Sequence, residues 1–131
     1  MKEKVANTYK IRDHALKAVS TVPSDSTLHH LLGRLCFRIA GVSWLERKAA
    51  YAFFGEEPPS VTYDEALQHL LRAEEYKKDF IRNCLWIGNC FVKLGQKEKA
   101  REWYQRGLDI PAVSEDDKQA HEELKQLLRK L

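Results

Sequence analysis

The chain has 131 residues, 44% of them hydrophobic and 31% charged, with a formal net charge of +3. That length suits one compact domain spanning 1–131. The mild charge argues against a nucleic-acid partner, and with no run of about eighteen apolar residues no membrane span lies in the chain.

Taken in order, the hydrophobic pattern predicts helices throughout. Residues from Lys4 to Thr21 carry Val5, Ile11, Ala15, Ala18 and Val19 at helical spacing. Pro23-Ser-Asp-Ser26 breaks that helix and caps the next, whose apolar positions are Leu28, Leu31, Leu32, Leu35 and Ile39. Gly41 is expected to close it in the left-handed conformation. Ser43 and Glu46 read as a capping box opening a third helix to Phe54, and Thr62 and Glu65 as another opening a fourth to Tyr76. Between them the stretch from Gly55 to Ser60 is rich in turn residues. Further helices run from Asp79 to Leu94, stopping at Gly95, and from Lys97 to Leu108, stopping before Pro111. Ser114 caps a last helix to Leu131, with acids at its start and Lys125, Arg129 and Lys130 near its end, an order that suits the helix dipole. No alternating stretch is long enough for a strand, so the class is all-α.

The helices are not independent of one another. Cys84, Ile87, Gly88 and Phe91, then Ala100 and Tyr104, have the spacing of a tetratricopeptide repeat. His29, Leu32, Gly33 and Cys36, then Ala66, Leu70 and Ala73, repeat the frame. Ala66 to Ala100 and Ala73 to Gly107 are both thirty-four residues, whereas Gly33 to Gly88 is fifty-five. The expected architecture is antiparallel helical hairpins stacked in a right-handed superhelix, one of them split by an insertion of about twenty-one residues. The divisions are 4–22 (the second helix of a truncated repeat), 27–76 with the insertion at about 43–60, 79–110, and a capping helix at 114–131. His14 to Pro23 lacks a partner helix before it, so further repeats are expected upstream of Met1. A face exposed there leaves self-association of the fragment open. Gly33 and Gly88 mark the closest approach of paired helices, with Ala66, Ala73 and Ala100 as the small residues facing them.

No catalytic motif is present, so no catalytic residue and no cofactor is assigned. His14, His29, His30, His69 and His121 have no metal-ligand spacing, and no metal is assigned. Cys36, Cys84 and Cys90 make an odd number without zinc spacing; reduced thiols are expected in an intracellular chain, two of them in the core. Tyr76, Phe80, Trp86 and Trp103 are expected mainly to pack between helices. The first helix of each hairpin lines the concave side of such a stack. The candidate groove therefore presents Arg34, Phe37 and Arg38 from one helix, and Arg82, Asn89, Val92 and Lys93 from the other. Arginines at that spacing can hold a carboxylate or phosphate. The alternative is a solvated face paired with Glu65, Glu74 or Glu75. In the insertion, Trp44, Tyr51, Phe53 and Phe54 must cover something, either the groove mouth or the neighbouring hairpin; if exposed they form an apolar docking patch.

Three segments are specific beyond the repeat spacing. Leu31-Leu-Gly-Arg-Leu-Cys-Phe37, Ser43-Trp-Leu-Glu-Arg-Lys48 and Pro58-Pro-Ser-Val-Thr-Tyr-Asp-Glu-Ala-Leu67 resemble the regulator of microtubule dynamics family, as does the tail around Leu108–Pro111 and Glu115–Lys118. The resemblance covers nearly the whole chain. It implies a C-terminal helical-repeat domain of a longer protein, without enzymatic activity, that associates with microtubules or spindle poles in the cytoplasm. Tubulin, with its glutamate-rich tails, is the implied protein partner. Some members of the family carry an N-terminal membrane anchor, and a relative that bridges endoplasmic reticulum and mitochondria binds phospholipid. A phospholipid-binding or lipid-transfer module at membrane contact sites is thus the alternative function. In that case Phe37, Val92 and the insertion from Trp44 to Phe54 would enclose acyl chains.

Overall fold

The computed structural model describes residues 2–42, 44–55 and 60–131; the side chains of residues 2–6, 44, 50, 53 and 54 lie outside that description. Among the described residues there are seven helices and no strand: α1 (Lys2–Thr21), α2 (Ser26–Ala40), α3 (Trp44–Phe54), α4 (Tyr63–Tyr76), α5 (Ile81–Lys93), α6 (Lys97–Asp109) and α7 (Glu115–Lys130). The all-α class expected from the pattern is the one observed.

Side-chain oxygens set several helix starts by occupying backbone N–H groups that the first turn leaves without a carbonyl. Asp25 caps α2, its carboxylate accepting from Leu28 N at 3.1 Å. Ser114 and Asp117 cap α7 reciprocally, Oγ accepting from Asp117 N at 3.1 Å and Oδ2 from Ser114 N at 3.2 Å. Thr62 accepts from Glu65 N at 3.1 Å, but the second half of that box is absent, because Glu65 accepts from Arg12 of α1 instead. The box expected at Ser43 and the loop over 56–59 fall outside the described residues.

The helix ends differ from one another. Gly95, at φ +75°, closes α5 with Gln96 N donating to Phe91 O at 2.8 Å and Gly95 N to Val92 O at 3.0 Å. This is the left-handed closure that glycine makes without steric cost. Gly41 does not do the same: its φ is −86°. Val42 N donates to Ile39 O at 3.0 Å, so α2 ends in a tightened turn that needs no left-handed residue.

Helix α2 packs on α4 and α5 on α6, giving two hairpins; α1 lies against α2, α4 against α5, and α7 against both α6 and α5. Helices α2 and α5, the first of each hairpin, also meet. This neighbour-to-neighbour order is that of a helical-repeat array. The inserted α3 packs against α1 among the described residues, and so covers neither α2 nor α5.

The glycines fit large residues rather than small ones. A Cβ on Gly33 would stand 2.5 Å from Leu70 Cγ, and one on Gly88 would overlap the Tyr104 ring. One on Gly107 would stand 2.8 Å from Leu124 Cδ1. Thus Leu70, Tyr104 and Leu124, all fully buried, fill the space that the missing side chains leave. Ala66, Ala73 and Ala100 are fully buried along the same seams.

Helix α1 departs from its predicted stripe. Its buried positions are Thr8, Tyr9, Arg12 and Ala15, with Leu16 and Val19 packed beside them, while Ile11 is 48% exposed. Arg12 occupies a core-facing position because Nη2 donates to Glu65 Oε1 of α4 at 3.1 Å, giving the charge a partner inside.

Replacing Gly88 by leucine should lower the unfolding free energy by about 1–3 kcal/mol through overpacking against Tyr104. Urea denaturation followed by circular dichroism measures this; an unchanged midpoint would show that α5 and α6 do not meet there.

Candidate functional site

Along α5, Arg82, Trp86, Asn89 and Lys93 recur at steps of four, three and four, and so share one side of the helix. Along α2, His30, Arg34 and Arg38 do the same. Where the two helices meet, Leu31, Arg34, Leu35, Phe37, Arg38 and Trp86 line a cleft of about 440 Å³. Its floor is aromatic. Phe37 meets Trp86 edge to face at 5.2 Å and Tyr63 of α4 at 5.1 Å. The Arg34 guanidinium lies 4.9 Å from the centre of the Trp86 ring, within cation–π range. The indole Nε1 of Trp86 is buried and has no hydrogen-bond partner among the described residues.

The cleft is electropositive for a definite reason. No carboxylate lines it, and neither Arg34 nor Arg38 has an ion-pair partner among the described residues. Burial beside the indole, followed by repulsion from Arg82 and Arg38, holds the Arg34 guanidinium below its ordinary pKa. Asp116 and Glu123 of α7 oppose that shift.

Of the predicted groove residues, the structure brings Arg34, Phe37 and Arg38 onto the cleft. Arg82 stands one turn away, its guanidinium bound to Asp116 and Glu123. Asn89 is half-buried and accepts from the Tyr104 hydroxyl at 2.6 Å, while Val92 and Lys93 are exposed further along α5. Glu65, one suggested partner for the groove arginines, belongs to Arg12. In the insertion Tyr51 and Leu45 are exposed; the side chains of Trp44, Phe53 and Phe54 lie outside the described residues. Trp86 and Leu31 line the cleft although sequence reasoning set neither there. The signal for Trp86 was its position four residues after Arg82 and three before Asn89.

The family model described as "Regulator of microtubule dynamics protein 1-3" matches residues 1–131. The chain belongs to this family. It is 40% identical to regulator of microtubule dynamics protein 1 of Bos taurus over 130 residues, covering 98% of this chain and 41% of that protein. The same protein of Homo sapiens is 40% identical over 129 residues, with 98% of this chain and 41% of that protein covered. Regulator of microtubule dynamics protein 3 of Xenopus laevis is 33% identical over 129 residues, with 98% and 28% covered. The chain therefore spans about two fifths or less of the length of these curated relatives. No helix among the described residues is long and apolar enough to cross a membrane.

In this family member, buried polar groups hold the walls of the groove in register. His30 Nδ1 donates to Asn83 Oδ1 at 2.9 Å, and Asn83 Nδ2 donates to Leu70 O at 2.8 Å, joining α2, α5 and α4. Asn83 is fully buried, and the His30 ring packs on Phe80 at 4.5 Å. Burial drives the His30 pKa down to about 4; the neighbouring Arg34, Arg82 and Lys77 add to the shift, and its bond to Asn83 opposes it. Three other groups are tuned by burial as well. All three cysteines are buried, one more than expected, and the Cys84 and Cys90 thiols are pushed up to about 12.

A base whose folded pKa lies below its unfolded value stabilises the fold only while neutral. The His30 contribution is thus complete above its unfolded pKa of 6.5 and is lost as pH falls toward 4. The loss should be about 3 kcal/mol, from 1.36 kcal/mol per pKa unit. His69, also lowered by burial, acts in the same direction. Urea midpoints between pH 7 and 4 should therefore fall less steeply in His30→Gln than in the parent; parallel profiles would remove His30 as the cause.

Proposed function

We propose that this chain is a non-enzymatic protein-interaction domain that associates with microtubules, its α2–α5 groove holding a glutamate-rich segment such as a tubulin tail. The observation that carries the reading is the pair of arginines, Arg34 and Arg38, set without carboxylate partners among the described residues beside a half-buried aromatic floor. An acidic segment supplies the missing counter-charge, and its backbone or side chains pack on Phe37 and Trp86. Membership of a family named for microtubule dynamics supports the same reading.

A non-enzymatic role is supported by what the groove brings together: guanidiniums and aromatic rings, with no nucleophile and base in reach of each other among its lining residues. The thiols, the strongest nucleophiles present, are buried and protonated. On this reading the domain works at the cytoskeleton or spindle, and any membrane anchoring belongs to the remainder of a longer protein. The phospholipid reading draws on the same arginines and rings; phospholipid retained by the purified chain in a native mass spectrum would favour it over the protein partner.

Microtubule co-sedimentation tests the proposal. Arg34→Glu with Arg38→Glu should weaken pelleting about tenfold or more, and added salt should weaken the parent steeply. Undiminished pelleting of a folded double variant would remove the groove from the interaction.

A further inference from the structure

Arg82 sits one turn before Trp86 on the groove side of α5, yet its guanidinium is turned away to α7. Nε donates to both oxygens of Asp116, at 3.0 and 3.1 Å; Nη2 pairs with Asp116 at 3.0 Å and Nη1 with Glu123. Asp116 and Glu123 are seven residues apart, so they stand on one face of α7, two turns from each other. The charges are unevenly shared. Arg82 has two carboxylates, while Arg34 and Arg38 beside it have none. Both acids are more than half exposed, and Arg82 keeps 21% of its side-chain surface in solvent. The guanidinium is mostly buried and bound by two acids, so it is held more firmly than a single surface ion pair; the acids themselves stay open to solvent, where an incoming carboxylate can compete with them for it.

We propose that Asp116 and Glu123 are an internal competitor for the acidic ligand of the groove: they hold Arg82 aside until a segment carrying several adjacent carboxylates draws it over. This rests on the reading of the groove given above. Two consequences follow from the geometry. A ligand with one carboxylate finds Arg34 and Arg38 only, and leaves Arg82 on α7. A ligand with carboxylates extending past Trp86 offers Arg82 an equivalent partner, so the third arginine joins the site and selects for runs of acid over isolated acids. The acids of α7 thus reduce affinity for all such ligands and set the charge density at which binding becomes strong.

A double-mutant cycle on the whole chain tests this, read by fluorescence anisotropy of a labelled oligoglutamate peptide at low salt. Asp116→Asn with Glu123→Gln should tighten binding by about three- to tenfold, since a competing pair is removed. Arg82→Gln should then cost several-fold more in that background than in the parent. Equal costs in the two backgrounds would mean that only the overall field had changed, and would overturn the proposal. Asp116 also favours the N-terminus of α7 through the helix dipole, so Glu123→Gln alone provides a variant that leaves the first turn intact; it should tighten binding by a smaller factor, and no tightening there counts against the proposal. A parent chain that does not bind the peptide overturns the groove reading and this inference together. A parent whose binding is lost in Arg34→Glu with Arg38→Glu, but which shows no coupling between Arg82 and the α7 acids, overturns this inference alone.

Discussion

The distance between paired helices is the constraint on which the rest depends. It is set where one helix has no Cβ and the other places a large side chain in the gap. Gly33 accepts Leu70, Gly88 accepts the Tyr104 ring, and Gly107 accepts Leu124. The contacts join α2 to α4, α5 to α6 and α6 to α7, so the close spacing holds within each hairpin and on to α7. Because interiors pack as densely as organic crystals, a methyl group at these points cannot be absorbed locally. It would push α5 off α6 and change how α5 stands beside α2. The groove lies where α2 and α5, the first helices of these closed hairpins, meet.

Polar links then fix register within the stack. Hydrophobic contact is non-directional, and helices joined by it alone can slide. The His30–Asn83–Leu70 chain ties three helices at one level, and the Arg12–Glu65 pair ties α1 to α4. Breaking either leaves a buried polar group without its partner, which costs more than the bond itself contributes. The same burial that makes His30 a structural donor keeps it neutral, and it keeps added positive charge away from the arginines one and two turns further along α2. Structure and site electrostatics are coupled through that one ring.

Charge distribution decides what the groove can do. The net charge of +3 is small, so recognition of an acidic partner depends on where the cations are left without counter-charges. Several acids are spent within helices or on neighbouring ones: Glu98 on Arg101, Glu115 on Lys118, Glu122 on Lys125, and Asp116 with Glu123 on Arg82. Arg34 and Arg38 are what remains at the α2–α5 seam. A half-buried aromatic floor beside them turns a weak long-range attraction into a site with shape.

Periodicity by itself determined the helical class, the repeat frame and most of the core. A thirty-four-residue recurrence of small and large positions within helical periodicity suits recurring helix pairs, and caps such as Asp25 and Ser114 are local chemistry that needs no partner elsewhere. Arg34, Phe37 and Arg38 were readable for the same reason, as they share a side of one helix. What sequence could not decide were relations between elements. Arg12 lies off the apolar stripe predicted for α1, and its buried place depends on Glu65 being brought against it from fifty-three positions away. Trp86 is readable as packing between helices, but its place on the floor of a cleft follows only once α2 is set beside it, and Arg82 reads as a groove cation until α7 turns it aside. In each case the outcome depends on which charge or ring arrives from a distant part of the chain, and that is settled by packing, not by spacing along one helix.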